Sequence, residues 1–208
     1  MIVQAAVSLD GRIDGFEPDV GVYYGLIETW DEDATLSGSE TVLAGAPDPD
    51  RPYAQPASAP EPDDDRPLLA VVDSRGRVRS WAALLAAGHW SRGLSLCSAA
   101  TPPHHLEYLK RVGVEAAIHG DDRVDLPRSL AELADRRIAT VRVDAGPTLN
   151  GLLLRAGLAD ELSLLLHPAI AGDGRPFLDR LDTAVRLRLI AEERLDDGLV
   201  WLRYLVED

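Results

Sequence analysis

The 208 residues predict an α/β fold: a mostly parallel central sheet with helices on both faces, finished by an antiparallel C-terminal hairpin. Two patterns carry that prediction. Between residues 68 and 143, short β-branched or leucine-rich runs alternate with helical segments, the rhythm of parallel strands joined by crossover helices. Beyond residue 160 the rhythm gives way to strand-like runs, with the hairpin dipeptide Asp197-Gly198 between the last two. The length suits one large domain, 1–208, and 46% hydrophobic content is enough to bury a core.

The elements follow in order. Residues 2–8 form a β-type run stopped by Asp10-Gly11 and read as the first, central strand. Val22, Leu26, Ile27 and Trp30 fall at helical spacing. Residues 34–38 read as a short strand and 40–43 as a brief helix. The segment 45–67 carries seven prolines and no apolar period, so it buries nothing and is expected to be a long flexible loop, a lid or an insertion. Strands are then expected at 68–72, 94–98, 114–118 and 138–143, with helices at 81–87, 102–112 and 126–134, the second opening on proline. Residues 161–170, 186–194 and 199–206 read as strands. In the last of these, Leu199, Trp201 and Leu205 alternate with Val200, Leu202 and Val206, so both faces are apolar. One face must cover something besides its own core, which predicts a homodimer.

Composition narrows the partners. A net charge of -14 repels phosphate backbones and anionic membranes, so neither nucleic acid nor a membrane is an expected partner, and an anionic ligand must be held by a local device. The single cysteine, Cys97, excludes a disulfide framework and a cysteine-based metal site. The N-terminus has neither a basic n-region nor a long apolar h-region, so a cytoplasmic protein is expected. The histidines form no metal pattern; His167, in an apolar run, reads as a satisfied structural histidine.

The most informative stretch is VDAGPTLNGLLLRAGLADEL, residues 143–162, where a β-branched run stops at Ala145-Gly146-Pro147 and a leucine-rich helix starts at once. Gly146 lets the backbone approach a ligand, and Pro147 presets the first helical φ where its missing N–H costs nothing. The amides of Thr148, Leu149 and Asn150 would then point outward, joined by the Thr148 hydroxyl, as a phosphate cradle. A well-capped connection with no ligand fits the same letters. Asp144 would repel a phosphate, so it should face a hydroxyl- or amine-bearing part of a ligand. Ser8 and Asp10 end the first strand, where they could line a pocket or serve only the turn.

Together with LLLHPAIAGDG, AAVSLDGRI, SETVLAG at 39–45 and VVDSRGRV at 71–78, this stretch resembles the reductase domain of the riboflavin-biosynthesis deaminase-reductases, the pyrimidine reductases. The resemblance implies a three-layer dihydrofolate reductase-like fold and an NADPH site. On the matching positions the cofactor would be held by Gly146, Pro147, Thr148, Leu149, Asn150 and Gly151, by Thr41 and Ser74, and by the backbone of Ala6 near the nicotinamide. Arg75 and Arg77, in the turn after a strand, are placed to meet a 2′-phosphate, which favours NADPH over NADH, although both also suit a solvated turn. On the substrate side stand Ser8, Asp10 and Asp144, which replaces the family's usual glutamate. After TVLA the family continues with acidic residues and an arginine, whereas this chain has Gly45-Ala46-Pro47-Asp48-Pro49-Asp50-Arg51, with Arg51 as the candidate arginine.

The implied activity is hydride transfer from NADPH to a small-molecule substrate, a ribosylamino-pyrimidine of the 5-amino-6-(5-phosphoribosylamino)uracil type, giving a ribitylamino product. The zinc signature of the deaminase half, H-x-E with P-C-x-x-C, cannot be made with one cysteine. Three other readings stay open: an NADPH reductase acting on dihydrofolate or another carbonyl or imine, a non-catalytic nucleotide-binding module, and an α/β domain whose 45–67 loop recognises a partner.

Overall fold

Each β-branched or leucine-rich run becomes a strand in the computed structural model, which describes residues 1–45, 64–179 and 181–207. Arg51 and most of the 45–67 loop lie outside the described residues. The chain folds as two compact units, Met1–Glu32 with Arg142–Asp208, and Asp33–Val141.

In the first unit, β1 (Ile2–Ser8) is flanked in parallel by β6 (Val141–Asp144) and β7 (Glu161–His167), the central position expected of it. Its burial is nearly complete, as a strand covered on both faces requires. Two antiparallel strands follow, β8 (Arg186–Arg194) and β9 (Val200–Glu207), in the order β6-β1-β7-β9-β8. Asp197 and Gly198 turn between them with φ of 56° and 78°, the left-handed pair that a tight hairpin needs. A short helix α1 (Val20–Gly25), capped by the Asp19 carboxylate, runs into a 3-10 turn (Leu26–Thr29). The helical spacing over 22–30 is therefore met by two tighter pieces. Tyr23, Leu165, Leu199 and Trp201 form the core there, with Trp30 edge-on to Trp201.

The second unit is a four-stranded parallel sheet, β5-β4-β3-β2, built from β2 (Ala34–Gly38), β3 (Leu68–Val72), β4 (Arg92–Cys97) and β5 (Glu115–Ile118). The connecting helices are α2 (Ser39–Gly45), α3 (Trp81–Ala86), α4 (Pro103–Arg111) and α5 (Leu126–Asp135). Trp81 is fully buried with Leu69, Val71, Cys97 and Leu109, and burial pushes the Cys97 thiol up. Gly93 makes room for it: a Cβ there would lie 2.7 Å from the indole. With five parallel and two antiparallel pairings inside the two units, the mostly parallel α/β fold with an antiparallel C-terminal hairpin is as the sequence predicts.

Two strand ends differ from expectation by three residues, and the others lie within two. Residues 138–140 are not strand, because the Asp33 carboxylate accepts the amides of Ala139 (2.7 Å) and Thr140 (2.8 Å). A side chain has replaced the ladder partner. Strand β7 stops at His167, since Pro168 has no N–H to donate. Asp33→Ala should unfasten residues 138–140 at a cost of about 1 kcal/mol, read as a lower urea midpoint with unchanged slope.

Candidate functional site

In the first unit the site begins with a buried cation. Arg142 projects from β6 with its side chain 3% exposed, and a charge so far from water must be paired. Its Nε lies 2.5 Å from Glu32 Oε2 and Nη2 3.3 Å from Oε1, a fork-on-fork contact. Nη1 donates to Gln4 Oε1 (3.3 Å) and stands 3.6 Å from Asp144 Oδ2. Gln4 lies opposite Asp144 in the β1–β6 register. Asp144, at the carboxyl end of β6, is thus held from behind while remaining partly open. Tyr24 reaches the same carboxylate oxygen at 3.5 Å, and the neighbouring Tyr23 hydroxyl donates to Gln4 O (3.3 Å). Burial, then the Asp144 charge, pushes both phenols above their usual range, so both stay protonated donors.

Helix α6 (Pro147–Arg155) starts three residues later. Gly146 is its N-cap, with no side-chain cap and no acid in the first turn, so nothing of the chain's own competes for an anion there. At φ -83°, ψ 179° Gly146 is ordinary extended backbone, so its torsion angles do not require a glycine. Thr148 is exposed and its amide and that of Leu149 fall in the turn that has no intrahelical acceptors. The Asn150 amide is not among the outward donors: it donates to Gly146 O at 3.2 Å. The Asn150 side chain is fully buried and Nδ2 bridges Ala145 O and Phe177 O, each at 3.1 Å. A Cβ on Gly151 would be 3.3 Å from Asp179 Cβ, so that glycine seats the helix. Of the six expected cofactor residues of this segment, Gly146, Pro147 and Thr148 are accessible; Leu149, Asn150 and Gly151 are buried behind them. Ala6 is half-buried beside the Tyr23 cluster and pairs with Leu165 in β7.

Ser8 and Asp10 are brought together, but about 13 Å along β1 from the register position of Asp144. The Ser8 hydroxyl donates to Asp10 Oδ1 (2.6 Å) and accepts from Arg12 N (3.0 Å). The Asp10 oxygens also accept from Ala171 N and Gly172 N at 2.9 Å. With the Ser8 hydrogen bond as the largest cause, the carboxyl is lowered to about 2. Both side chains knot the 9–12 turn to residues 171–172. His167 is satisfied as expected, accepting from Asp19 N at Nε2 (2.8 Å) with Nδ1 beside Leu165 O.

The remaining expected cofactor residues, Thr41, Ser74 and Arg75, belong to the second unit. Thr41 is half-buried on α2. Ser74 follows β3, its hydroxyl accepting from Val124 N at 3.0 Å and keeping its own proton to donate. Arg75 is exposed and forms no ion pair with any described residue. Arg77 differs: Nη2 donates to Glu40 Oε1 (2.7 Å) and Ser39 Oγ (3.0 Å). Of the two arginines expected at a 2′-phosphate, Arg77 is therefore paired and Arg75 is not, among the described residues. Among the described residues no group of three or more possible ligands could hold a metal ion, and no helix is long and apolar enough to cross a membrane.

In the first unit, then, an uncapped strand-to-helix joint directly follows a carboxylate braced by a buried arginine. The chain belongs to the RibD C-terminal domain family, whose profile matches residues 27–201. It is 30% identical to a 2,5-diamino-6-ribosylamino-4(3H)-pyrimidinone 5′-phosphate reductase of Methanothermobacter thermautotrophicus, over 96% of this chain and 95% of that protein. A protein of the same name from Archaeoglobus fulgidus is 29% identical over 95% and 94%. The solved structure of a pyrimidine reductase-like protein from Corynebacterium diphtheriae shares the fold, with a TM-score of 0.75 at 20% identity over 100% of this chain and 91% of that one.

Sequence reasoning missed Arg142, Glu32 and Gln4. An arginine inside a β-branched run was the available signal, since a cation in a buried strand demands a partner. Nothing local marks Glu32, which is 110 residues away. Arg142→Ala strands Glu32 without its cation and should lower stability by about 3–5 kcal/mol in denaturant unfolding.

Proposed function

We propose that this chain is an NADPH-dependent reductase of riboflavin biosynthesis that acts on a ribosylamino-pyrimidine phosphate. The carrying observation is the carboxylate of Asp144, fixed by a buried arginine immediately before a helix start that has no side-chain cap and at which Thr148 is exposed. Supporting it is the near full-length likeness to reductases of that name. Those names also refine the substrate: a 2,5-diaminopyrimidinone ring, with the 2-amino group still present, is preferred here over the uracil type that the sequence motifs brought forward.

The chain's residues fit the cofactor. Within the first unit the exposed Thr148, at an uncapped helix start, suits a phosphate; within the second, taken by itself, the Ser74 hydroxyl and Arg75, which has no ion pair among the described residues, suit a phosphate as well. NADPH, when bound, supplies the hydride that C1′ of the open-chain sugar imine accepts, the imine nitrogen taking a proton. For that step the chain offers position and orientation, not a nucleophile. Asp144 accepts from hydroxyl or amino groups of the substrate, and Arg142 keeps that carboxylate from swinging away. The cytoplasm, a reducing compartment, suits a chain whose one cysteine is a buried thiol.

A homodimer belongs to the same proposal. Strand β8 is paired on one side only, and Leu187, Leu189 and Ile190 on it are 40%, 46% and 39% exposed. A row of apolar side chains on an edge strand is a liability that a second copy of the strand would remove.

Purified protein should oxidise NADPH when the diaminopyrimidinone ribosylamino phosphate is added and markedly more slowly with the uracil analogue; no turnover on either pyrimidine overturns the reading. Arg75→Ala should weaken NADPH about tenfold, near 1.4 kcal/mol, and leave NADH unchanged in nicotinamide-fluorescence titrations. Light scattering after size exclusion should give twice the chain mass, and Leu189→Glu the monomer.

A further inference from the structure

The turn that carries Ser74 and Arg75 is shaped by Asp73 at its own base and by side chains of α4. Asp73, directly after β3, is fully buried; Oδ2 accepts from Val78 N at 2.8 Å and its backbone O from Gly76 N at 3.1 Å, which closes the turn on itself. Gly76 has φ +62°, and a Cβ there would lie 2.6 Å from Cγ of His105. The imidazole of α4 is therefore the floor on which the turn's backbone rests. His105 is itself fully buried, Nε2 3.7 Å from Asp73 Oδ2, and burial pushes its pKa below the usual value, so it is a neutral ring and not an ion-pair partner. One turn along α4, the Tyr108 hydroxyl donates to the backbone oxygen of Arg79, whose guanidinium lies 4.9 Å from the phenol ring centre. From the opposite side Thr101 Oγ1 (2.9 Å) and Ser98 Oγ (3.4 Å) donate to Ser74 O.

This arrangement is not the one stability alone would choose. Among the described residues, Asp73 Oδ1, Arg77 Nε, Ser80 Oγ, Trp81 Nε1 and both ring nitrogens of His105 are buried without a hydrogen-bond partner. Each such atom weakens the fold, and polar atoms left this way cluster where a backbone shape is kept for another purpose. In a chain of net charge -14 the same turn presents Arg75 and Arg79, which have no acidic partner among the described residues.

We propose that Asp73, His105 and Tyr108 are positioning residues that fix the 73–79 turn in one shape, and that this shape sets the preference for the phosphorylated dinucleotide. The inference rests on the NADPH reading above and deepens it. Arginine charge attracts NADPH from any loop conformation; only a fixed turn places the Ser74 hydroxyl and the Arg75 guanidinium on the same phosphate.

The test compares dissociation constants for NADPH and NADH, because a residue that merely stabilises the unit weakens both alike. Wild-type protein should prefer NADPH by at least about tenfold. In Gly76→Ala, where a methyl meets the imidazole, NADPH should weaken about tenfold while NADH stays within about twofold. His105→Ala should also erode the preference, and the double variant should be no worse than Gly76→Ala alone, since the methyl then occupies space the ring has left. Tyr108→Phe keeps the ring and removes only the hydroxyl, so it carries the test even where Gly76→Ala does not fold; it should weaken NADPH selectively by about threefold. Equal losses for both cofactors, additive losses in the double variant, or an unchanged ratio in Tyr108→Phe would overturn the inference while leaving the NADPH reading intact. Wild type that binds neither cofactor, or both equally, overturns the NADPH reading and this inference with it.

Discussion

Burial of the Arg142 guanidinium is the constraint on which the first unit's chemistry depends. A cation at 3% exposure has lost nearly all its hydration, and only short, well-aimed contacts offset that loss. Glu32 supplies two of them and Gln4 a third, so the end of the N-terminal segment, β1 and β6 are tied through one side chain. Asp144 takes what remains of the guanidinium. Because the Glu32 contact is the shorter by more than 1 Å, it dominates the pairing, and the Asp144 carboxylate stands at the margin of the guanidinium, partly exposed. Burial first, and then the same carboxylate, raises the phenol of Tyr24. A proton donor thus stands beside an acceptor at the end of the strand, a pairing suited to sugar hydroxyls and amines and unsuited to a phosphate.

An acidic protein that holds a phosphate must do so at short range. Repulsion from the net charge of -14 is screened beyond about 8 Å at physiological salt. Amides at a helix start and a guanidinium act within hydrogen-bond distance, where screening is slight and each contributes about 0.3–1 kcal/mol or more. The local terms win provided no acid of the chain sits among them. Helix α6 meets that condition, with no acidic residue in its first turn. Asp10 meets it differently: three hydrogen bonds from Ser8, Ala171 and Gly172 already use its carboxylate.

Most of the fold was legible because its signals are local. Strands at 2–8, 34–38, 68–72 and 186–194 are bounded by turn residues and match to the residue. Errors came where a distant side chain intervened: Asp33 caps residues 138–140, and the apolar letters there read as strand. The site divides the same way. The joint at Gly146-Pro147 is written in adjacent letters, and it was found. The inward roles of Asn150 and Gly151 depend on Phe177 and Asp179, segments met only after folding, and letters that resemble a cradle gave no hint of them. Arg77 looked available until α2 brought Glu40 to it.

The two units fix their functional groups by different physics, and this sets what each tolerates. Around Asp144 the devices are charges, and a buried charge deprived of its partner is penalised in the folded state whatever ligand is bound. Around Ser74 and Arg75 the devices are shape: a glycine with positive φ against an imidazole, and a carboxylate closing a turn on a backbone amide. The turn is anchored in that unit's core by Val78, which packs in one cluster with Leu69, Val71 and Trp81, while Ser74 and Arg75 stand outside the cluster. Damage to the first unit is therefore felt as lost stability. On the proposal made above, damage to the turn of the second changes discrimination between ligands that differ by one phosphate, because the free energy at stake would be a difference between two bound states and not between folded and unfolded chains.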